Sequence, residues 1–277
     1  MKAFPAFYIV PTDFSPVSEN AMKIAYDIAD KNGRSIYLLH IAKNQHDKIA
    51  AELKMDAIVD GLSEKNKSRT VTKVLIGDIY EDLAKAGSLI HGSMIFMGTH
   101  GAKGIQKIFG SHAEKVVQNS HVPVFIAQEN SNENEFDTIV MPFSFAKESI
   151  QVLRIAADIA KEFDSTIHLV AYRDKDASLE QKAKIRQTVA RQFLTENNIK
   201  HEIVILPKLK SYEKELLDFA ESIDADLIAA TYFRDGILPT PNAFIQKMIE
   251  NKYQIPILTV NADEISVASS VLSFMTN

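Results

Sequence analysis

The sequence predicts an α/β protein made of two tandem domains, each with an open five-stranded, mostly parallel sheet and helices on both faces. The length of 277 residues exceeds the roughly 100–200 residues of a typical single domain. Apolar residues make up 46% of the chain and charged residues 24%, which is typical of globular proteins. Short apolar runs alternate with segments of helical periodicity, a pattern typical of parallel sheets covered by helices.

The chain contains an internal repeat. Residues Ile24–Ala29 recur as Ile155–Ala160, 131 positions later, and His121–Val124 match Gln254–Ile257 at an offset of 133. A repeat of this length indicates a duplicated domain, with two extra residues in the second copy. The joining segment 128–135 has the polar composition of a linker. We therefore expect one domain over residues 1–130, a second over 136–262 and a C-terminal tail over 263–277.

The first half reads as five strands that alternate with four helices. Ser15-Pro16 has the residue types that open a helix, and Gly33 has the type that ends one. Asp78–Glu81 is an acidic variant of a capping box and opens a third helix. The predicted strands cover 6–11, 36–41, 71–76, 94–97 and 122–127. The first helix is predicted from Ser15-Pro16 to Gly33, the second over about 46–66 and the fourth over 111–119.

Composition excludes several classes of site. The chain has no cysteine, which rules out disulfides, thiolate zinc sites, iron–sulfur clusters and cysteine nucleophiles. The net charge of −5 argues against a strongly basic nucleic-acid platform. No apolar run approaches the roughly 18 residues of a membrane span, and the N-terminal run ends too early for a signal peptide. We expect a cytoplasmic protein without a membrane or nucleic-acid partner.

The candidate site lies where the predicted strands end. In open α/β sheets, ligands bind at the carboxyl ends of the strands, at the switch point of the topology. The glycines Gly98 and Gly101 follow strand four, and their amides can approach an anion closely. Gly110-Ser111 is predicted to open a helix, whose free N–H groups suit a phosphate. Asp13 ends strand one and can bind a ribose, and Ile41 ends strand two and can form an apolar wall for a base.

Each of these residues also has a structural interpretation. Gly98 and Gly101 can be ordinary turn glycines, because a glycine pattern alone is a weak signal. Ser111 forms a capping box with Glu114 and can cap its own helix. Asp13 can accept hydrogen bonds from nearby loop amides instead of from a ligand.

Four segments, taken in order, carry a family resemblance: Pro11–Ser15, Leu39–Ile41, Met97–Gly101 and Gly110–Val116. Together they resemble the universal stress protein family over essentially the whole first half, and the duplication resembles a tandem member. The resemblance implies the strand order 3-2-1-4-5. It also implies that Gly98, Gly101, Gly110 and Ser111 cradle the phosphates of ATP, that Met97 and His112 flank them, and that Pro11, Thr12, Asp13 and Ile41 hold the adenosine.

The chain departs from the family pattern in one loop. ATP-binding members have nine residues between the second and third glycines, whereas Ala102–Phe109 is eight residues long. A loop can absorb such a deletion. If the deletion instead shifts the start of the helix, Ser111 moves by ~1.5 Å along the axis and turns by ~100°. That shift would affect the phosphate contacts and leave the adenosine contacts unchanged.

The second half lacks the site residues. The repeat pairs Asp13 with Ser144, Gly98 with Thr231, Gly101 with Arg234 and Gly110 with Ala243. The segment 233–241 has one glycine and two prolines and offers no evident nest of amides. We therefore predict that the second half does not bind ATP in the manner of the family.

Strand five of each half is expected to be an apolar sheet edge. An exposed apolar edge favours aggregation, and pairing removes that risk. The resemblance implies that the two halves pair through this strand and form a pseudo-two-fold monomer. Homodimerisation of the whole chain stays open at this point, and the tail offers either an intramolecular contact or a partner segment.

Three functions fit the sequence to different degrees. The first is a stress-response protein that binds ATP or another adenine nucleotide in its first half, with Mg²⁺ carried by the phosphates, and offers its second half as a scaffold or as the surface for an unidentified protein partner. The second is a nucleotide-free interaction protein with a decayed site. The third is an enzyme that uses an adenosine nucleotide, such as one that transfers adenylyl groups. It lacks support because no HxGH- or SGGxDS-like motif follows strand one and no Walker A, GxSxG or GxGxxG motif occurs. Slow ATP hydrolysis is compatible with the first function. No protein metal site is predicted.

Overall fold

The structure, a computed structural model, describes residues 7–78, 82–83, 92–99, 108–131, 136–143, 149–172, 177–206, 211–232 and 241–261. The strands are β1 Phe7–Pro11, β2 Ser35–Ala42, β3 Thr70–Ile76, β4 Gly92–Gly98, β5 Val124–Ala127, β6 Thr138–Pro142, β7 Thr166–Tyr172, β8 Lys200–Leu206, β9 Leu227–Tyr232 and β10 Ile257–Asn261. The helices are α1 Pro16–Asn32, α2 Gln45–Gly61, α3 Glu64–Ser68, α4 Ile108–Asn119, α5 Ser149–Phe163, α6 Ala177–Glu196, α7 Tyr212–Ser222 and α8 Pro241–Ile249. These helices are all too short or too polar to span a bilayer.

The ten strands form one sheet in the order β3-β2-β1-β4-β5-β10-β9-β6-β7-β8. Each half therefore has the order 3-2-1-4-5, as the family resemblance implied. The strands within each half are parallel, and β5 and β10 join the halves as an antiparallel pair in which Phe125 lies opposite Leu258. This arrangement confirms the predicted fold class and the pairing through strand five. The predicted domain limits fall at or beside residues 132–135 and 262–277, outside the described residues.

The strand registers show where the second copy gained its two residues. Phe7 pairs with Ser35 as Thr138 pairs with Thr166, which keeps the offset of 131. The β1–β4 pair Tyr8–Met94 corresponds to Ile139–Leu227 in β6–β9, which gives an offset of 133 at the partner strand. The β2–β3 and β7–β8 registers still keep the offset of 131. The insertion therefore lies between β8 and β9.

Helix α1 begins and ends as its sequence predicts. The Ser15 side chain accepts a hydrogen bond from the amide of Ser18, and Pro16 occupies the first turn. Gly33 ends the helix with a φ of 70°, in the left-handed region that glycine tolerates best, and its amide donates to the carbonyl of Ala29.

The predicted second helix is two helices, α2 and α3. Leu62 adopts an extended conformation after Gly61, and the Ser63 side chain caps α3 by accepting from the amide of Asn66. Serine at this position competes with helix continuation because its hydroxyl bonds the backbone of the next turn. The single helix expected over about 46–66 was wrong in this respect.

Strand β5 begins two residues later than predicted, and its counterpart β10 likewise begins after a proline. Pro123 and Pro256 precede the strands, and their carbonyls accept from the amides of Ile95 and Ile228. A proline lacks an N–H group and so contributes only its carbonyl to a ladder.

Two layers of helices cover the sheet. On one face, α1, α2, α5 and α6 pack over a core that includes Ile24, Phe96, Phe125 and Leu153. On the other face, α4, α7 and α8 pack over a second core that includes Val116. Helix α1 contacts α5, and α4 contacts α8, so the two halves are joined by helix pairs as well as by the sheet.

Candidate functional site

The candidate site lies at the carboxyl ends of β1 and β4 in the first half. The chain leaves β1 toward β2 on one side, whereas β4 lies on the other side, which makes the gap between β1 and β4 the switch point. The structure brings Pro11, Thr12 and Asp13 to this edge from β1 and Met97 and Gly98 from β4.

The turn after β1 is held by the side chain of Thr12. The Thr12 amide donates to the carbonyl of Leu39 at 2.9 Å, which extends the pairing with β2 by one residue. Its hydroxyl lies 3.1 Å from the Ser18 hydroxyl and accepts from the amide of Phe14 at 3.0 Å. Phe14 has a φ of 65°, a conformation that costs energy for a residue with a side chain. The Thr12 hydroxyl therefore stabilises a strained turn, and its predicted contact with adenosine stays a prediction.

Asp13 is the exposed charged group of the turn. Its carboxylate accepts hydrogen bonds from the amide and the hydroxyl of Ser15. Partial burial acts to raise the pKa of Asp13, but these hydrogen bonds outweigh it, and the pKa lies below its usual value. The structure thus shows the loop contact that was the alternative to a ligand role. It also leaves Asp13 ionised and exposed at the switch point, as a ligand role requires.

His40 is a residue near the site that the predicted set did not include. Its Nδ1 lies 2.7 Å from the carbonyl oxygen of Thr12, so this nitrogen carries a proton and donates. The ring packs on Phe14 with 4.6 Å between centroids, and Lys54 Nζ from α2 lies 5.0 Å from the Phe14 ring centroid. The position of this histidine near the end of a predicted strand was the one sign of a role in the site. Only the sheet order shows that its ring contacts the turn after β1.

Gly98 lies against the first turn of α1. A Cβ atom at this position would stand 2.2 Å from the carbonyl oxygen of Val17 and 2.9 Å from the amide nitrogen of Ser18. The structure therefore gives Gly98 a packing role. That role differs from the predicted close approach to a phosphate and does not exclude it.

Thr99 follows Gly98. Its amide donates a hydrogen bond to the carbonyl of Ala127 at 2.8 Å, which extends the pairing of β4 with β5 by one residue. Its side chain is 1% exposed. Its hydroxyl has no hydrogen-bond partner among the residues that the structure describes. A buried hydroxyl without a partner costs free energy, so it is a candidate for a contact that a ligand would complete.

Ile41 and Met97 share one face of the sheet. Met97 is buried in the core under α4, and Ile41 is half-buried and packs against the same core. Pro11 is buried at the end of β1. These three residues give the site edge its apolar surface. Ile41 is more exposed than Met97.

Helix α4 begins three residues before the predicted start. It covers Ile108–Asn119, so Gly110 and Ser111 lie inside its first turn and a half. Ser111 therefore does not cap this helix, and the predicted capping box with Glu114 was wrong. The amide of Gly110 still belongs to the first turn, whose amides lack partners within the helix, whereas the amide of Ser111 lies at the fourth helical residue, where hydrogen bonding within the helix begins. Gly101 lies outside the described residues, as do the side chains of Ser111 and His112.

The second half has hydrophobic core residues at the corresponding strand ends. Phe143 takes the position of Thr12 and donates its amide to the carbonyl of Val170 at 2.8 Å, as Thr12 does to Leu39. Tyr232 takes the position of Thr99 and is 1% exposed. The Tyr212 hydroxyl donates to the same Val170 carbonyl at 3.1 Å.

The structure describes only some of the second-half positions that correspond to Asp13 and to the glycines of the first half. Thr231, in place of Gly98, is buried in β9, and the backbone at Ala243, in place of Gly110, is in α8. Ser144 and Arg234, in place of Asp13 and Gly101, lie outside the described residues.

Comparison with known proteins gives consistent results. The model of the universal stress protein family matches residues 9–128. A universal stress protein from Methanocaldococcus jannaschii is 28% identical over a match that covers 45% of this chain and 83% of that protein. A solved universal stress protein from Archaeoglobus fulgidus aligns with a TM-score of 0.71 at 20% identity, covering 92% of this chain and 96% of that chain.

The two kinds of comparison cover different parts of the chain. The family model matches the first half, where the four motif segments lie, and the structural likeness extends the shared fold to both halves. The first half is therefore similar to the universal stress protein family over residues 9–128, and both halves share the fold of the solved protein.

Proposed function

We propose that this chain is a stress-response protein that binds an adenine nucleotide, ATP with Mg²⁺ on its phosphates, in its first half. The second half serves as a scaffold or a partner surface. The observation that carries the proposal is the contrast between the two strand-end edges. The first half presents the ionised Asp13 and the Thr99 hydroxyl, which has no partner among the described residues, whereas the second half has Phe143 and Tyr232 at the positions of Thr12 and Thr99.

The residues present fit a nucleotide. A carboxylate at the end of β1 can accept from both hydroxyls of a ribose, and its low pKa keeps it charged at neutral pH. Ile41 offers an apolar surface for the base, and the first amides of α4, that of Gly110 among them, offer donors for phosphate. Bound Mg²⁺ would neutralise phosphate charge.

We expect Asp13→Asn to weaken ATP binding by about 10-fold or more, since hydrogen bonds to a charged group contribute about 1.5–3 kcal/mol. Asparagine keeps an oxygen that accepts from Ser15, so the turn should persist. Titration of nucleotide-stripped protein with ATP and Mg²⁺ in a calorimeter gives affinity and stoichiometry. Asp137→Asn, an exposed aspartate before β6 in the second half, is the matched control and should bind like the unchanged protein.

Three results would contradict parts of the proposal. Two sites per chain would overturn the assignment to the first half. Equal affinity in the Asp13→Asn variant would remove Asp13 from the site. No heat at high ATP concentration, with an unshifted melting temperature, would favour the nucleotide-free interaction protein and point to the eight-residue spacing of Ala102–Phe109 as the cause.

A further inference from the structure

The exposed large hydrophobic side chains of the described residues lie at the two ends of the ten-stranded sheet. They belong to the outermost strands β3 and β8 and to the helices α2 and α6 that flank them. These residues are Ile49, Leu53, Val71, Ile76, Ile185, Val189 and Ile205. Large apolar side chains that cluster on a surface mark an interaction site more often than single ones do.

Helix α2 carries an apolar pair within an acidic stripe. Ile49 and Leu53 are 54% and 68% exposed, whereas Ala51 and Met55 face the core. Asp56 and Asp60 follow at spacings that place them on the same face as Ile49 and Leu53. The helix has four acidic and two basic residues.

Helix α6 carries a similar pair with the opposite charge. Ile185 and Val189, again four residues apart, are 58% and 45% exposed. Lys182 and Arg186 each stand three residues before one of them and are its neighbours on the helix surface. This helix has four basic and two acidic residues.

The charge of each end helix is opposite to that of its own half. Residues 1–130 carry a net charge of +1, yet α2 is acidic, and residues 131–277 carry −6, yet α6 is basic. The two helices lie at opposite ends of one sheet, flanking β3 and β8, so they belong to separate surfaces of the chain. Each chain therefore carries an acidic surface with an apolar pair on α2 and a basic surface with an apolar pair on α6, at opposite ends of the sheet.

We propose that α2 of one copy of this chain binds α6 of a second copy. The apolar pairs have equal spacing and can pack against each other. The aspartates of α2 then lie near the cations of α6, which favours this pairing over α2 with α2 or α6 with α6. The chain itself supplies both sides, so a second copy is a partner that matches the two surfaces at once.

Paired charge-reversal variants of the full chain test the proposal. One variant carries Asp56→Lys and Asp60→Lys, and the other carries Lys182→Glu and Arg186→Glu. Each variant alone has two surfaces of one sign and should lose self-association. Mixed together, each acidic surface again meets a basic one, so the equimolar mixture should associate. Sedimentation of the unchanged protein, each variant and the mixture over a range of concentrations measures this.

Controls separate association from folding. Glu129→Lys with Glu221→Lys changes two exposed carboxylates on other segments and should associate like the unchanged protein. Unaltered far-ultraviolet circular dichroism confirms that each variant is folded. The apolar part is tested by Leu53→Ser, which should weaken association without changing charge. High salt should weaken it as well, because it screens the charges.

Three outcomes would overturn the proposal. The unchanged protein could stay at the mass of one chain up to high concentration. Alternatively, the folded charge variants could associate as strongly alone as the unchanged protein does. A mixture that stays dissociated while each folded variant is monomeric would also contradict it, since restored complementarity is the specific consequence of this pairing.

Discussion

Gly98 shows how one residue can satisfy a family pattern and a packing requirement together. Its position at the end of β4 brings the backbone of β4 against the backbone of α1 at Val17. The sequence predicts a glycine that leaves room for a ligand, whereas the structure shows that the nearest obstacle is another part of the chain. Both requirements exclude a side chain, so the glycine alone does not distinguish them.

We expect Gly98→Ala to destabilise the protein by about 1–3 kcal/mol, the usual cost of overpacking. The new methyl group would meet backbone atoms of α1, which cannot rotate away. Urea denaturation measures the change. Gly61→Ala is the matched control, because nothing lies within 4 Å of its Cβ position, and it should be neutral or stabilising by up to ~1 kcal/mol. Equal effects of the two substitutions would contradict the packing argument.

The residues near Asp13 show what the sequence could predict of the site. Asp13 was identified from its place at the end of a strand, and Thr12 from the family resemblance. Phe14 and His40 were not in the predicted set, because their importance depends on a left-handed φ and on a bond across strands. Neither property has a local sequence pattern.

At the scale of elements, the turn after β1 and the start of α1 are one unit. Ser15 caps the helix and also bonds the carboxylate of Asp13. The cap could be predicted, since serine before proline is a common helix start. The second bond depends on the turn that Thr12 and Phe14 form.

We expect Ser15→Ala to destabilise the protein by about 1 kcal/mol at neutral pH, through loss of the cap. The folded pKa of Asp13 is lowered, so its ionised form adds stability that is lost as the pH falls through that pKa. The variant lacks one bond that lowers the pKa. The difference from the unchanged protein should therefore shrink below about pH 4. Chemical denaturation over a pH series measures it, and a difference that stays constant to pH 2 would contradict the link to Asp13.

Two helix boundaries differed from prediction for reasons of context. Helix α4 extends back to Ile108, through Gly110, although glycine there predicts a boundary. Helix α2 ends at Gly61, inside the single helix expected over about 46–66, and Ser63 caps a new helix. Periodicity identifies that a helix exists and gives its boundary less well.

At the scale of the whole molecule, the halves are joined by a pseudo-symmetric interface. Gln128, at the end of β5, donates to the carbonyl of Asn251 at 3.1 Å, and Asn261, at the end of β10, donates to the carbonyl of Gln118 at 2.7 Å. These bonds correspond under the offset of 133. Asn20 adds a bond from α1 to the carbonyl of Gln128 at 2.8 Å. The polar segment that follows β5 is thus anchored to both halves.

We expect Thr259→Val to stabilise the protein by about 1 kcal/mol. Thr259 is buried at the β5–β10 junction, and its hydroxyl has no partner among the described residues, so valine removes an unpaired polar group at nearly constant shape. Thr70→Val is the control. The Thr70 hydroxyl bonds the carbonyl of Asn66 and the Tyr26 hydroxyl, so its loss should destabilise. Thermal unfolding distinguishes the two, and destabilisation by both would contradict the argument.

The sequence by itself determined the fold class, the duplication, the ends of α1 and the pairing of the halves through strand five. The first three follow from periodicity, self-similarity and local capping chemistry, and the pairing rested on the family resemblance together with the need to cover an apolar edge. Only the tertiary structure decided that Gly98 packs on α1, that His40 holds the turn at Thr12 and that Phe143 and Tyr232 replace polar residues of the first half by core. Those facts depend on which strands become neighbours and which faces they share, and such long-range contacts leave no pattern along the chain.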